Sequence, residues 1–125
     1  MMNEKSENSP EKVCNYRYLL TMTGGKEQAI KDITDTFLTQ VSEELKSIND
    51  AVTKKNYALI KNIAHTMQST VTVMGISIVA PVLHEMESLG ASASDIEKIT
   101  TMNQKLNLIC KQAIDEIESD KYKFL

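Results

Sequence analysis

Residues 26–53 read K-E-Q-A-I-K-D-I-T-D-T-F-L-T-Q-V-S-E-E-L-K-S-I-N-D-A-V-T. The apolar side chains Ile30, Ile33, Phe37, Val41, Leu45, Ile48 and Val52 follow one another in steps of three and four, which gathers them on one face of a helix. At about 1.5 Å per residue that helix is roughly 40 Å long. No segment of the chain alternates with a period of two, so no sheet is expected. Lys54 and Lys55 interrupt the pattern, and Asn56 is placed to cap a second helix over Tyr57–Met74, with Ile60, Ile63, Ala64, Met67, Val71 and Met74 inward. Gly75 ends it. A further helix is expected from Ser77 to Leu89, with Pro81 in its first turn and Gly90 as its stop. The last should start at Ser94, whose spacing to Glu97 fits a capping box, and run to Ser119 on Ile96, Ile99, Leu106, Ile109, Ala113 and Ile117. Upstream, Val13–Leu20 reads as a short helix closed by Thr23-Gly24-Gly25. These elements predict an all-α fold, an antiparallel up-and-down four-helix bundle with an additional short N-terminal helix across one end. Residues 1–10 read as a polar tail or linker, 11–120 as the bundle and 121–125 as a C-terminal tail.

Composition narrows the function. A chain of 125 residues with 42% hydrophobic and 25% charged side chains is the size and balance of one globular domain. There is no apolar run long enough for a membrane span, and the opening M-M-N-E-K-S-E-N-S-P has no signal-peptide core, so a cytoplasmic protein is expected. The 14 basic and 17 acidic residues are scattered, giving −3 overall and no basic stripe for a nucleic acid. Cys14 and Cys110 lie far apart and match no metal or redox spacing, so they read as free thiols, buried or half-exposed.

Chemistry concentrates in I-A-H-T-M-Q-S-T-V-T-V-M-G, residues 63–75. On a helical wheel His65 lies about 140° from the core direction of its helix and should face solvent beside Lys61, Gln68, Ser69 and Thr72. An isolated histidine of this kind is most simply a surface residue. No metal site is expected: there are two histidines in all, and His84-Glu85-Met86-Glu87-Ser88 starts like H-E-x-x-H but has Ser88 where the second ligand belongs. His84 itself reads as a surface residue. A hydrolase would need a nucleophile elbow or a phosphate loop, and neither motif occurs. An exposed imidazole acting alone can still attack a phosphoryl group that another protein presents with its metal.

The segment Ala64-His65-Thr66-Met67-Gln68-Ser69-Thr70-Val71-Thr72-Val73-Met74-Gly75 resembles the histidine-containing phosphotransfer (HPt) domain family, whose pattern is, in outline, A-H-x-[LM]-K-[GS]-[ST]-x-x-x-[LM]-G. Tyr18–Gly25, Phe37–Gln40 and Leu83–Glu87 extend the likeness over residues 16–90, with the last helix similar only in pattern. The resemblance implies a phosphorelay phosphocarrier in which His65 accepts a phosphoryl group from a receiver-domain aspartyl phosphate and passes it to another receiver Asp. Such a chain is not an autonomous enzyme. It carries no cofactor; Mg²⁺ is expected on the partner receiver. Response-regulator receiver domains are the expected partners, the chain being either free-standing or one piece of a hybrid sensor histidine kinase, and a monomer is expected. Docking would use Lys61, Gln68, Ser69 and Thr72, with Val73 at the edge. Gln68 departs from the usual Lys and removes an interaction worth roughly 1 kcal/mol at an exposed site, which Lys61 one turn earlier would partly replace. The alternative reading is a helical receiver-binding module that has lost phosphotransfer.

Overall fold

The spacing of residues 26–53 becomes a helix of 27 residues, Glu27–Thr53, the longest in the computed structural model, which describes residues 12–120. The tails read over residues 1–10 and 121–125 lie outside the described residues. In chain order the elements are α1 (Arg17–Thr23), α2 (Glu27–Thr53), α3 (Tyr57–Val73), a 3₁₀ turn (Ser77–Val79), α4 (Ala80–Ser92) and α5 (Ile96–Asp120). Each long helix packs on its chain neighbours, and α2 packs on α5 to close the ring. Short connections make successive helices antiparallel, so the fold is the expected up-and-down bundle with a short helix before it. Among the described residues there is no strand, and no helix is long and apolar enough to cross a membrane.

The interior follows the periodicity closely. Ile30, Phe37, Val41, Ile48 and Val52 of α2 are buried with Ile60, Ala64, Met67 and Val71 of α3, Leu83 and Met86 of α4, and Ile99, Leu106 and Ile117 of α5. Cys110 is buried among them and free; Cys14 is half-buried and also free. Asn56 caps α3 as expected, its side chain accepting from the backbone N–H of Leu59 at 3.2 Å.

Four boundaries differ from expectation. The first helix starts at Arg17, not Val13. Residues 12–15 form an irregular strap because their backbone donors are satisfied elsewhere: Val13 and Cys14 donate to the Glu116 carboxylate, and Asn15 donates to the Met74 carbonyl. Ser77 opens a 3₁₀ turn and α4 proper begins at Ala80, with Pro81 in its first turn. Gly90 does not end α4. It is buried within the helix, which continues to Ser92, and a Cβ on it would lie 2.9 Å from the Lys61 backbone nitrogen and 3.0 Å from the Tyr57 carbonyl oxygen. It is there to let α3 and α4 approach. Finally α5 is capped by Asp95, whose carboxylate accepts from the Lys98 backbone N–H, while the Ser94 hydroxyl pairs with that of Ser92.

Gly75 does terminate α3, for two reasons. Its φ of +64° lies in the left-handed region, and a side chain there would collide with the Asn15 carbonyl of the strap. The end of α3 is thereby tied both to the N-terminal strap and to the turn leading into α4.

Candidate functional site

The close approach at Gly90 sets the register of the α3–α4 seam. With Gly90 against Tyr57 and Lys61, one turn back along α4 brings Glu87 level with His65 and Gln68. His65 leaves the seam outward, its side chain 72% exposed, because Ala64 and Met67 on either side of it are turned into the core. The expected solvent-facing imidazole is therefore where the helical wheel puts it.

Glu87 links the two polar residues of α3. Its Oε2 lies 2.9 Å from His65 Nδ1, and its Oε1 accepts from Gln68 Nε2 at 2.7 Å. The carboxyl is held below its ordinary range, first by the hydrogen bond from the Gln68 amide, then, against partial desolvation, by donation from His65 and the nearby imidazoles of His65 and His84. A carboxylate kept ionised can only accept, so the proton of a neutral His65 ring belongs on Nδ1. The other nitrogen, Nε2, is left with its lone pair directed away from Glu87. Gln68, half-buried, spends a donor on Glu87 rather than pointing freely at solvent.

The remaining expected residues divide by face. Lys61, Ser69 and Thr72 are exposed one or two turns from His65, and the Thr72 hydroxyl donates to the Gln68 carbonyl at 2.8 Å. Val73 is half-buried and sits on the other flank of α3, lining a small groove with Ile33, Phe37 and Thr70 toward α2. His84 is exposed, one turn before Glu87 on α4.

Glu87 itself was missed as a site residue by sequence reasoning. It stands at the fourth place of His84-Glu85-Met86-Glu87, and its distance in sequence from His65 hides the contact. A usable signal was available: Leu83 and Met86 fix the core face of α4, which leaves Glu87 at the edge of that face, where a helix neighbour can be reached.

A second polar network crosses the α2–α3 seam on the far flank of α3. The Thr70 hydroxyl donates to Glu44 at 3.0 Å and receives from Gln40 at 3.2 Å, and the other Glu44 oxygen is buried with no hydrogen-bond partner among the described residues. Burial pushes the Glu44 carboxyl up, against the two hydrogen bonds. This group points away from His65 and takes no part in its surroundings.

No group of three or more His, Cys, Asp or Glu side chains among the described residues is placed to hold a metal ion. What the arrangement offers is one exposed ring nitrogen with a lone pair, oriented by a carboxylate that is itself oriented by an amide. The family model for the Hpt domain matches residues 32–120, which takes in α5 and most of α2 as well as the His65 segment but not the opening stretch around Tyr18–Gly25. No curated protein and no solved structure matches the chain. With most of its length matched, the chain belongs to the Hpt domain family, the phosphocarriers of phosphorelays, which pass phosphoryl groups in concert with response-regulator receiver domains.

Proposed function

We propose that His65 is the phosphorylated residue of this carrier and that Nε2 is the atom that bonds to phosphorus. The observation that carries the reading is the 2.9 Å contact between His65 Nδ1 and Glu87, on a ring that is otherwise exposed. In the proposed step the Nε2 lone pair attacks the phosphorus of an aspartyl phosphate on a receiver domain. The N–P bond forms as the P–O bond to the receiver aspartate breaks, and the aspartate leaves as a carboxylate. The imidazole gains positive charge as it bonds, and the Glu87 carboxylate on Nδ1–H stabilises that charge where it develops. Reversal of the same step on a second receiver completes the relay. In-line displacement also needs a divalent cation and charge neutralisation on the phosphoryl oxygens, and both are assigned to the receiver, with Mg²⁺ on its carboxylates.

Gln68 acts in this scheme as a positioning residue. Its amide fixes the Glu87 carboxylate, which in turn fixes the tautomer and orientation of His65. Lys61, Ser69 and Thr72 supply the rest of the proposed receiver-facing surface, small or flexible enough for a partner to close over the ring, with Val73 at its edge. We place the carrier in the cytoplasm, as a monomer that meets its receivers by diffusion.

The test is transfer from a phosphorylated receiver to the chain. The expected product carries acid-labile, base-stable phosphate, and His65→Ala takes up none. Label on His65→Ala would move the site elsewhere; a receiver that binds both proteins equally and labels neither would reduce the chain to a binding module.

A further inference from the structure

One titratable side chain of the α3–α4 seam takes no part in the proposed step. His84 is exposed and makes no hydrogen bond or ion pair among the described residues. Its place follows from the register that Gly90 sets. Glu87 reaches His65 and Gln68 across the seam. The two helices are antiparallel, so one turn earlier on α4 is one turn later on α3, and His84 stands level with Gln68 and Thr72. At about 100° per residue it lies about 60° outward of Glu87, on the rim toward α3 and away from the buried Leu83 and Met86. Helix positions three apart have Cβ atoms about 5–6 Å from each other. The imidazoles of His65 and His84 therefore flank one carboxylate, and both act on it electrostatically.

Few other charges surround His84. The ionisable side chains of α3 are Lys61 and His65, with Tyr57 at its far end. On α4 stand Glu85 and Glu87, and Glu85 is engaged on the opposite flank by Lys98 of α5, 3.4 Å away. Residues 99–102 of α5, which follow Lys98, carry no charge, and neither does the 3₁₀ turn Ser77–Val79. A lysine stays charged throughout the neutral range, so Lys61 adds a constant background. Histidine is the side chain whose charge changes between about pH 5 and 8.

Phosphorylation changes the charge of this rim. When His65 Nε2 bonds to phosphorus and Nδ1 keeps its proton, the ring and its phosphoryl group together carry one more negative charge than the free ring. That charge adds to the Glu87 carboxylate already present, and a proton on His84 offsets part of it.

We infer that His84 is a proton-binding group coupled to the phosphorylation of His65: it binds a proton from water more tightly when His65 carries phosphate and releases it more readily when the phosphoryl group leaves. The inference rests on His65 being the phosphorylated residue. His84 makes no bond to phosphorus, and its proton comes from solvent and returns there. The coupling is reciprocal, so a charged His84 favours phosphate on the carrier and a neutral one favours its transfer to the receiver. His84 thereby makes the loading of the carrier sensitive to pH.

The test titrates the full, ¹⁵N-histidine-labelled chain before and after phosphorylation by a phosphorylated receiver, following the His84 ring nitrogens by NMR. The midpoint of His84 should move up by about half a pH unit on phosphorylation of His65. The equilibrium of phosphate between receiver and carrier is then compared for wild type, His84→Gln and His84→Lys at about pH 6 and about pH 8.5. The ratio of wild type to His84→Gln should favour the carrier about two- to threefold more at the lower pH. His84→Lys, charged at both, should favour the carrier over His84→Gln by a similar factor at each pH. A His84 midpoint that stays within about 0.1 unit or falls, on a chain whose His65 carries phosphate, would overturn the coupling and leave the phosphorylation site standing. So would a ratio of wild type to His84→Gln that does not change with pH. A chain whose His65 takes up no phosphate would overturn both.

Discussion

Replacing Gly90 by alanine sets two effects of opposite sign against each other. Inside an α-helix alanine is favoured over glycine by about 1 kcal/mol, and at an exposed position the substitution would stabilise α4. Here the new methyl would sit 2.9 Å from the Lys61 backbone nitrogen and 3.0 Å from the Tyr57 carbonyl oxygen. Both are main-chain atoms of α3, so no side chain can swing away, and relief requires the two helices to part by several tenths of an ångström. Overpacking of this kind costs about 1–3 kcal/mol, which outweighs the propensity gain and leaves a net loss near 1 kcal/mol. With a urea m-value of about 1–3 kcal/mol/M for a domain of this size, the unfolding midpoint should fall by roughly 0.3–1 M. Glu87 is one turn away on the same seam, so the same separation lengthens its contacts with His65 and Gln68, and transfer from a phosphorylated receiver should slow. Ser88→Gly, on the exposed side of α4, is the control: it loses about 0.5 kcal/mol through propensity alone and should leave transfer unchanged. A midpoint for Gly90→Ala equal to or above that of the wild type would show that the helices are not in backbone contact there.

Three other expectations follow from individual contacts. Glu87→Gln keeps the shape but substitutes a neutral amide that can donate as well as accept, so the ring is no longer held in one tautomer; rapid-quench transfer should slow by about tenfold, well short of the loss seen when a buried triad carboxylate is changed. The lowered Glu87 carboxyl also has a pH signature: its contribution to stability is present above the unfolded value near 4.5 and is lost as pH falls through the depressed folded value, so wild type and Glu87→Gln should converge in stability at acid pH in urea melts. Glu44 has the opposite sign, since its folded carboxyl is raised by burial: its stabilising contribution is complete below the unfolded value and disappears as pH rises through the folded one, and Glu44→Gln should flatten that fall. Glu116→Ala removes the acceptor of the Val13 and Cys14 backbone donors, at about 1–2 kcal/mol. Burial, with the Glu116 charge second, pushes the Cys14 thiol up to about 12, so the variant should be alkylated faster at Cys14 while Cys110, held up to about 12 chiefly by burial, stays slow.

The bundle was legible because apolar spacing is a property of each helix by itself. Ile30 to Val52 needed no knowledge of the partner helices to define a buried face, and the same face placed His65 outward. The misread boundaries all depend on contacts distant in sequence. Val13 continues an apolar pattern, yet its backbone is drawn off by Glu116, 103 residues away. Gly90 looked like a helix stop because glycine usually plays that part, whereas here it answers to the backbone of α3. Ser94 and Asp95 are both acceptable caps by type, and only the geometry of the α4–α5 turn chooses Asp95. The candidate site divides in the same way. His65 and Gln68 share a helix and could be paired by counting turns, but Glu87 comes from α4 and its place beside them depends on the interhelix register that Gly90 sets. The departure at Gln68 reads differently as a result: the side chain in the position usually given to lysine is engaged with Glu87 at 2.7 Å.

The proposed transfer turns on one atom. Phosphorus-coupled ¹H–¹⁵N NMR of the phosphorylated, ¹⁵N-histidine-labelled chain resolves all four imidazole nitrogens of His65 and His84 and reports which one carries phosphorus. Phosphorus is expected on His65 Nε2 alone, with Nδ1 protonated and facing Glu87. Phosphorus on Nδ1, or on His84, would contradict it.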